Sequence, residues 1–222
     1  STNMGTVDTS SYNVISGATF TTSGNKLTIK GITSGTTTKD LKVVTATNKT
    51  GYSFSKWSVA SGTITAATTI TATFTANTYT VTYNSNGGSG TMTNDTATYN
   101  SNFITKKNTF TKTGYTFNGW NEKADGTGTV WGLTTSGVYE SGKSWKWTYT
   151  KNITLYAQWK ANTNTKYVVK HYKQKLDGTY PSEADDTENL TGTTDSSVSP
   201  AVKSYAGFTS PSLQTVTISG DG

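Results

Sequence analysis

Two stretches of this chain share one pattern. Thr50-Gly51-Tyr52-Ser53-Phe54-Ser55-Lys56-Trp57 and Thr113-Gly114-Tyr115-Thr116-Phe117-Asn118-Gly119-Trp120 both read T-G-Y-x-F-x-x-W. In each, a glycine breaks the preceding run and an aromatic strand begins. Tyr and Phe, two apart, share one face of that strand. The Trp comes three after the Phe, so strict alternation would put it on the other face. The pattern therefore calls for a bulge or bend between Phe and Trp that returns the Trp to the core side, and Gly119 suits such a bend. Two copies of so particular a pattern mean a repeated unit.

The strands that close the two units repeat as well. In Thr69–Thr75, Ile70, Ala72 and Phe74 face inward while the threonines face out. Ile153–Trp159 has the same build. Aligned on Ala76-Asn77 and Ala161-Asn162, Phe74 matches Trp159, Ala72 matches Ala157 and Ile70 matches Leu155. The segment between motif and closing strand is longer in the second copy, and the extra length includes Val130 to Gly142.

Other strand candidates are Val14–Ile15, Ala18–Phe20, Lys26–Lys30 and Leu41–Thr45 in the first unit. In the second they are Thr78–Tyr83, Thr96–Tyr99, Thr109–Thr111 and Trp145–Tyr149, the last with three rings on one face. Asn84–Gly88 reads as a turn, and Ala124–Gly128 as a hairpin turn. Behind them, Lys166–Tyr172, Val198–Val202 and Gln214–Ile218 are strand candidates. Leu176–Pro181 is a turn, and the acidic Glu183–Glu188 is a loop or helical turn. Ser219–Gly222 reads as the turn of a hairpin whose second strand lies beyond it, which leaves Val216–Ile218 near an open edge. The chain is accordingly expected to be a piece of a longer protein.

Composition supports this reading. Thr favours a half-buried pleated surface, and it is the commonest residue. The 6 Trp and 13 Tyr can fill several small cores, although only 32% of residues are hydrophobic. No stretch carries a helical stripe of ten residues. The basic residues are all Lys. Residues 1–160 hold 14 Lys and 6 acids, whereas residues 161–222 hold 5 Lys and 7 acids. Lysines scattered on strands protect sheet edges. Without Arg, the usual reader of phosphates and base edges, nucleic acid is not expected as a partner. No apolar run is long enough to span a bilayer, and no signal peptide is evident.

Candidate chemistry is sparse. With 0 cysteines and His171 alone, no thiolate metal site and no His-rich site can be assembled. His171 reads as a surface or edge-strand residue. Glu122 and Asp125 flank a turn, where Asp-Gly serves backbone geometry. The acidic stretch lacks the spacing of a calcium loop. No Lys, Asn and acid can be matched by position for a covalent crosslink. No catalytic residue, metal or cofactor is expected. The candidate ligand-binding residues are aromatic: Trp131, Tyr139, Trp145 and Trp147, which if exposed could stack on sugar rings. Core filling competes with that role for Trp145, Trp147 and Tyr149. Trp131 is the better candidate for exposure, because it lies among Gly and Thr in the segment the first unit lacks.

These motifs resemble a known family. Residues 78–162 resemble the internalin-type B repeat, or Listeria–Bacteroides repeat. The match is carried in order by Tyr79–Gly88, Thr113–Trp120, Lys123–Gly128 and Thr154–Trp159. Residues 1–77 look like a divergent copy, matching at Thr50–Trp57 and Ile70–Asn77. Residues 166–222 are similar to a mucin-binding-protein-like (MucBP-like) repeat, through Tyr167–Tyr172, Leu176–Tyr180, Gly192-Thr193-Thr194 and Tyr205–Thr209.

The resemblance implies an all-β, β-grasp-like tandem array of three small domains: residues 1–77, 78–162 and a C-terminally truncated 163–222. It implies a secreted or wall-attached surface protein of a bacterium, mostly Gram-positive, often an adhesin. The expected role is a non-enzymatic, semi-rigid stalk with no membrane insertion, working as a monomer. The alternative is a binding module for host glycan, mucin or a surface protein through exposed aromatics of the second or third domain.

Overall fold

The computed structural model describes residues 5–7, 19–23, 26–30, 46–48, 50–58, 70–132 and 142–222; within residues 5–48, and at 57 and 70–72, it describes the backbone alone. Every regular element among the described residues is a strand. In order these are β1 (Gly5–Val7), β2 (Thr19–Ser23), β3 (Lys26–Lys30), β4 (Ala46–Asn48), β5 (Tyr52–Trp57), β6 (Ile70–Ala76), β7 (Thr78–Asn84), β8 (Asp95–Thr98) and β9 (Asn102–Ile104). There follow β10 (Tyr115–Asn121), β11 (Val130–Trp131), β12 (Ser144–Lys146), β13 (Ile153–Ala161), β14 (Thr165–His171), β15 (Asp186–Gly192), β16 (Ser197–Val198) and β17 (Val216–Thr217). The expected Val14–Ile15 and Leu41–Thr45 strands lie outside the described residues.

Contacts divide the chain into two compact units. One comprises Ser1–Thr82, Asn94–Ile104 and Ser144–Ile153; the other comprises Tyr83–Thr93, Thr105–Lys143 and Thr154–Gly222. The sheets run β2-β3-β6-β5 and β11-β10-β13-β7-β8, with two-stranded pairs β1-β4, β9-β12, β14-β15 and β16-β17.

The two motif copies pair with their closing strands in one register. In the first, Tyr52 faces Ala76, Phe54 faces Phe74 and Trp57 faces Ala72. In the second, Tyr115 faces Ala161, Phe117 faces Trp159 and Trp120 faces Ala157. Phe to Trp spans three residues while the partner strand advances two, so each copy carries a one-residue bulge. In the second copy Gly119 has φ 117°, a backbone conformation that side chains disfavour. The side chain of Trp120 thereby turns inward and is fully buried.

Burial around Trp120 explains why these residues form strands. Val81 and Tyr83 alternate to the buried face of β7, and Ile153, Leu155 and Ala157 to that of β13. Tyr83, Phe110 and Phe117 place their rings 4.8, 6.1 and 5.0 Å from that of Trp120. The indole Nε1–H donates to the Lys106 carbonyl at 3.2 Å, so the buried polar atom is satisfied. Phe117 and Trp159 are only half-buried, their rings 5.9 Å apart and edge to face, while Trp159 Nε1 donates to the Ser85 carbonyl at 2.9 Å.

Several local expectations change. The expected Trp145–Tyr149 strand ends at Lys146, and Gln214–Ile218 is a strand only at Val216–Thr217. Thr109–Thr111 forms no strand; Thr111 makes a single bridge to Ser89. Of Val198–Val202, only Val198 lies in a strand, β16, where it pairs with Val216 of β17. The acidic stretch is not a loop throughout. From Asp186 it becomes β15, whose residues pair one for one with β14 from Thr165↔Gly192 to His171↔Asp186. The ladder partner, absent from any local window, overrides the low strand propensity of the acids.

Candidate functional site

The aromatic candidates are placed differently from the expectation. Trp131 is buried, at 3% exposure. The two-residue β11 sets it opposite Trp120, and the turn that reverses the chain is the expected Asp-Gly hairpin. In that turn Asp125 Oδ1 accepts from the amide and hydroxyl of Thr127 at 3.0 and 2.8 Å, and Gly126 N–H donates to the Lys123 carbonyl. Asn121, itself buried, ties the hairpin shut by donating to the carbonyls of Gly126 and Gly128. Trp131 Nε1 donates to Glu122 Oε1 at 3.0 Å. The reading of Trp131 as exposed is therefore corrected: cross-strand pairing pulls it into the core.

Trp147 is fully buried, its ring 5.3 Å from those of Phe103 and Tyr149. Trp145, half-buried on β12, faces Phe103 of β9. Tyr139 lies outside the described residues. The second repeat thus uses Trp131 and Trp147 as core, and neither presents a face on which a sugar could stack.

A different cluster of chemistry-bearing side chains stands on β14 and β15. His171, 13% exposed, approaches Glu188 Oε1 through Nε2 at 2.6 Å. An ionised carboxylate only accepts, so Nε2 carries the hydrogen. Lys203 lies 2.5 Å from Asp186 and 3.4 Å from Glu188, and Lys173 lies 3.3 Å from Asp185. The hydrogen bond from His171, then that from Lys203, holds the Glu188 carboxyl below its ordinary range. Lys203 does the same to Asp186 and is itself raised, chiefly by its bond to that acid. Asp185 is lowered by the backbone N–H of Lys173. Each acid is engaged by a cation or an N–H donor. The cluster is an ionic lattice that ties β14, β15 and the Lys203 segment together. Among the described residues no group of three His, Cys, Asp or Glu could hold a metal ion.

Next to this lattice is an open groove of about 980 Å³, lined among others by Tyr172, Tyr180, Pro200, Tyr205, Phe208 and Pro211. Apart from Ile104, every large exposed apolar side chain among the described residues lies beyond residue 165. Tyr180 is 60% exposed and Phe208 46%. The sequence signal for this surface was present in Tyr180, two residues after Gly178, and in Phe208, directly after Gly207.

The repeated bulge, the common register and the Asp-Gly hairpin define a class: small aromatic-centred β repeats in tandem. The model of the Listeria-Bacteroides repeat domain matches residues 17–78 and 79–158, and the chain belongs to that family. The first match settles the divergent copy that rested on only two motifs. The family is a non-catalytic repeat typical of extracellular or surface-associated bacterial proteins. Among the described residues, no helix is long and apolar enough to cross a membrane. No curated protein matches the chain, and no solved structure does.

Proposed function

We propose that this repeat region is a non-enzymatic spacer of a bacterial surface protein. It consists of three β-rich modules, residues 1–77, 78–162 and 163–222. The first two are β-grasp-like, and the third is MucBP-like. It stands as a semi-rigid, monomeric stalk that carries a functional region away from the cell wall of a Gram-positive cell. The observation that supports this best is how the second repeat uses its aromatics. Trp120, Trp131 and Trp147 are all interior, so its rings serve stability rather than a recognition platform. Stability in such arrays adds up from units and their interfaces.

The exposed rings of Tyr172, Tyr180 and Phe208 favour a second reading, in which the third module binds host glycan or mucin. Titration of the chain against immobilised mucin and a glycan array separates the two. The spacer reading expects no saturable binding. Saturable binding that disappears in Tyr180→Ala/Phe208→Ala would refute it and establish the binding module, while the buried Trp131 is unsuitable as a probe.

A further inference from the structure

Both copies of T-G-Y meet the chain that follows them in the same way. Asn77, which ends the first repeat, donates its N–H to the Gly51 carbonyl at 2.8 Å; Asn162, which ends the second, does so to Gly114 at 2.9 Å. Each asparagine carbonyl then accepts a later amide, Tyr99 N–H for Asn77 and Thr194 N–H for Asn162, both at 2.9 Å. Those amides belong to two tight turns with one spelling: Thr98-Tyr99-Asn100-Ser101 and Thr193-Thr194-Asp195-Ser196. Each turn closes from its serine N–H to its first threonine carbonyl, at 3.1 and 3.0 Å.

The third residue of each turn has positive φ, 59° at Asn100 and 63° at Asp195. Asn and Asp tolerate that conformation better than other side chains do. The same residue meets the motif tyrosine. Asn100 Nδ2 donates to the Tyr52 hydroxyl at 3.1 Å, and the Tyr115 hydroxyl donates to Asp195 Oδ2. A phenol is both donor and acceptor, so one tyrosine serves either partner. The residue just after a short strand, β12 or β17, locks each turn: Asn100 N–H and Asp195 N–H donate to the carbonyls of Trp147 and Ile218, and the amides of those residues return bonds to Ser101 and Ser196. The motif glycine sits under this contact with φ 82° at Gly51 and 78° at Gly114. An added Cβ would run into the Tyr99 ring at the first and into Thr194 and Gly220 at the second.

We propose that T-G-Y together with the closing asparagine is a coupling site. Its partner is the start of a following β module, recognised by a turn of sequence Thr-x-Asn/Asp-Ser, whatever that module's own family. The inference deepens the modular reading and rests on it. It assigns residues 163–222, which lie beyond the matched repeats, to the same pattern of attachment as the second repeat. Strand pairing agrees: β7-β8 and β9-β12 flank the first turn as β14-β15 and β16-β17 flank the second.

The test is amide hydrogen exchange by NMR on the full chain, comparing Gly114→Val, Asp195→Val and Asp195→Asn. Asp195 is exposed, so its replacement spares the core. Both valine variants should speed exchange at Asn162, Thr194 and Ile218 by about tenfold or more, with β10, β13 and the Asn77 joint unchanged. Asp195→Asn should behave as the parent, because the first joint already uses Asn. Unchanged exchange in Asp195→Val, or equal damage from Asp195→Asn, would overturn the coupling site while leaving independent modules in place. Faster exchange spreading to β2, β3 and β6 would overturn the modular reading itself.

Discussion

Replacing Trp120 with Ala removes the ring on which the second repeat is centred. A tryptophan buries about 150–250 Å². At about 25 cal/mol per Å² that is roughly 4–6 kcal/mol. An extended-chain reference overstates such burial by roughly 10–40%, which brings the figure to about 3–5 kcal/mol, the span seen when large core rings are truncated. The contacts with Tyr83, Phe110 and Phe117 and the bond to the Lys106 carbonyl put this site in the upper half of that span. A loss of about 4 kcal/mol is most of what holds a domain this small together. Its melting temperature should fall by about 16 °C or more. Trp120→Phe keeps the ring packing but loses the indole N–H, and should lose roughly 1–2 kcal/mol.

Urea unfolding followed by circular dichroism suits this test better than fluorescence, since the chain holds 6 Trp and one is being removed. Exchange at the amides of β13 locates the change. Tyr180→Ala, at a ring 60% exposed, is the control and should stay within about 0.5 kcal/mol of the parent. A Trp120→Ala loss no larger than the control would refute the claim that the bulge exists to seat this ring.

Gly119→Ala forces a side chain to φ 117° at a buried position, and should destabilise β10 by about 1–3 kcal/mol on urea unfolding. Trp131→Ala should act on stability, lowering the second repeat's unfolding midpoint, and leave any glycan titration unaltered. The β14-β15 lattice should be sensitive to pH at both ends. Asp185, Asp186 and Glu188 have depressed pKa values, so their contribution is present above about pH 4 and is lost as pH falls through the depressed values. Lys203 is raised, so its contribution holds below about pH 10.4 and is lost as pH rises past its shifted value. Exchange protection of β14, corrected for intrinsic rates, should therefore fall at the acid end with the carboxylates and at the alkaline end with Lys203. Glu188→Gln should flatten the acid limb.

Where the sequence could be read, the relevant contact was local or repeated. The Phe-to-Trp spacing forced a bulge, and the alignment of Phe74 with Trp159 fixed the register, because both follow from a two-residue strand period. Trp131 escaped for the opposite reason. Its strand is two residues long, too short for any periodicity, and its burial comes from pairing with Trp120 across a hairpin. The acidic residues of β15 escaped because their composition imitates a solvated loop. His171, Lys173 and Lys203, which make them tolerable in a ladder, are distant in sequence.

The motif glycine shows how far such reading can go. Its role as a chain breaker is visible in T-G-Y alone. Its second role depends on what approaches it: the Tyr99 ring at Gly51, and Thr194 with Gly220 at Gly114. Those neighbours differ in size and chemistry, so no shared side chain marks them. What they share is the backbone of a tight turn whose third residue, Asn or Asp, lies at positive φ. The backbone bonds from Tyr99 and Thr194 to the closing asparagines constrain conformation more than identity. The turns at Thr98–Ser101 and Thr193–Ser196 accordingly share Thr first, Asn or Asp third and Ser last while their second residue differs, and the glycine beneath them has the least room to change.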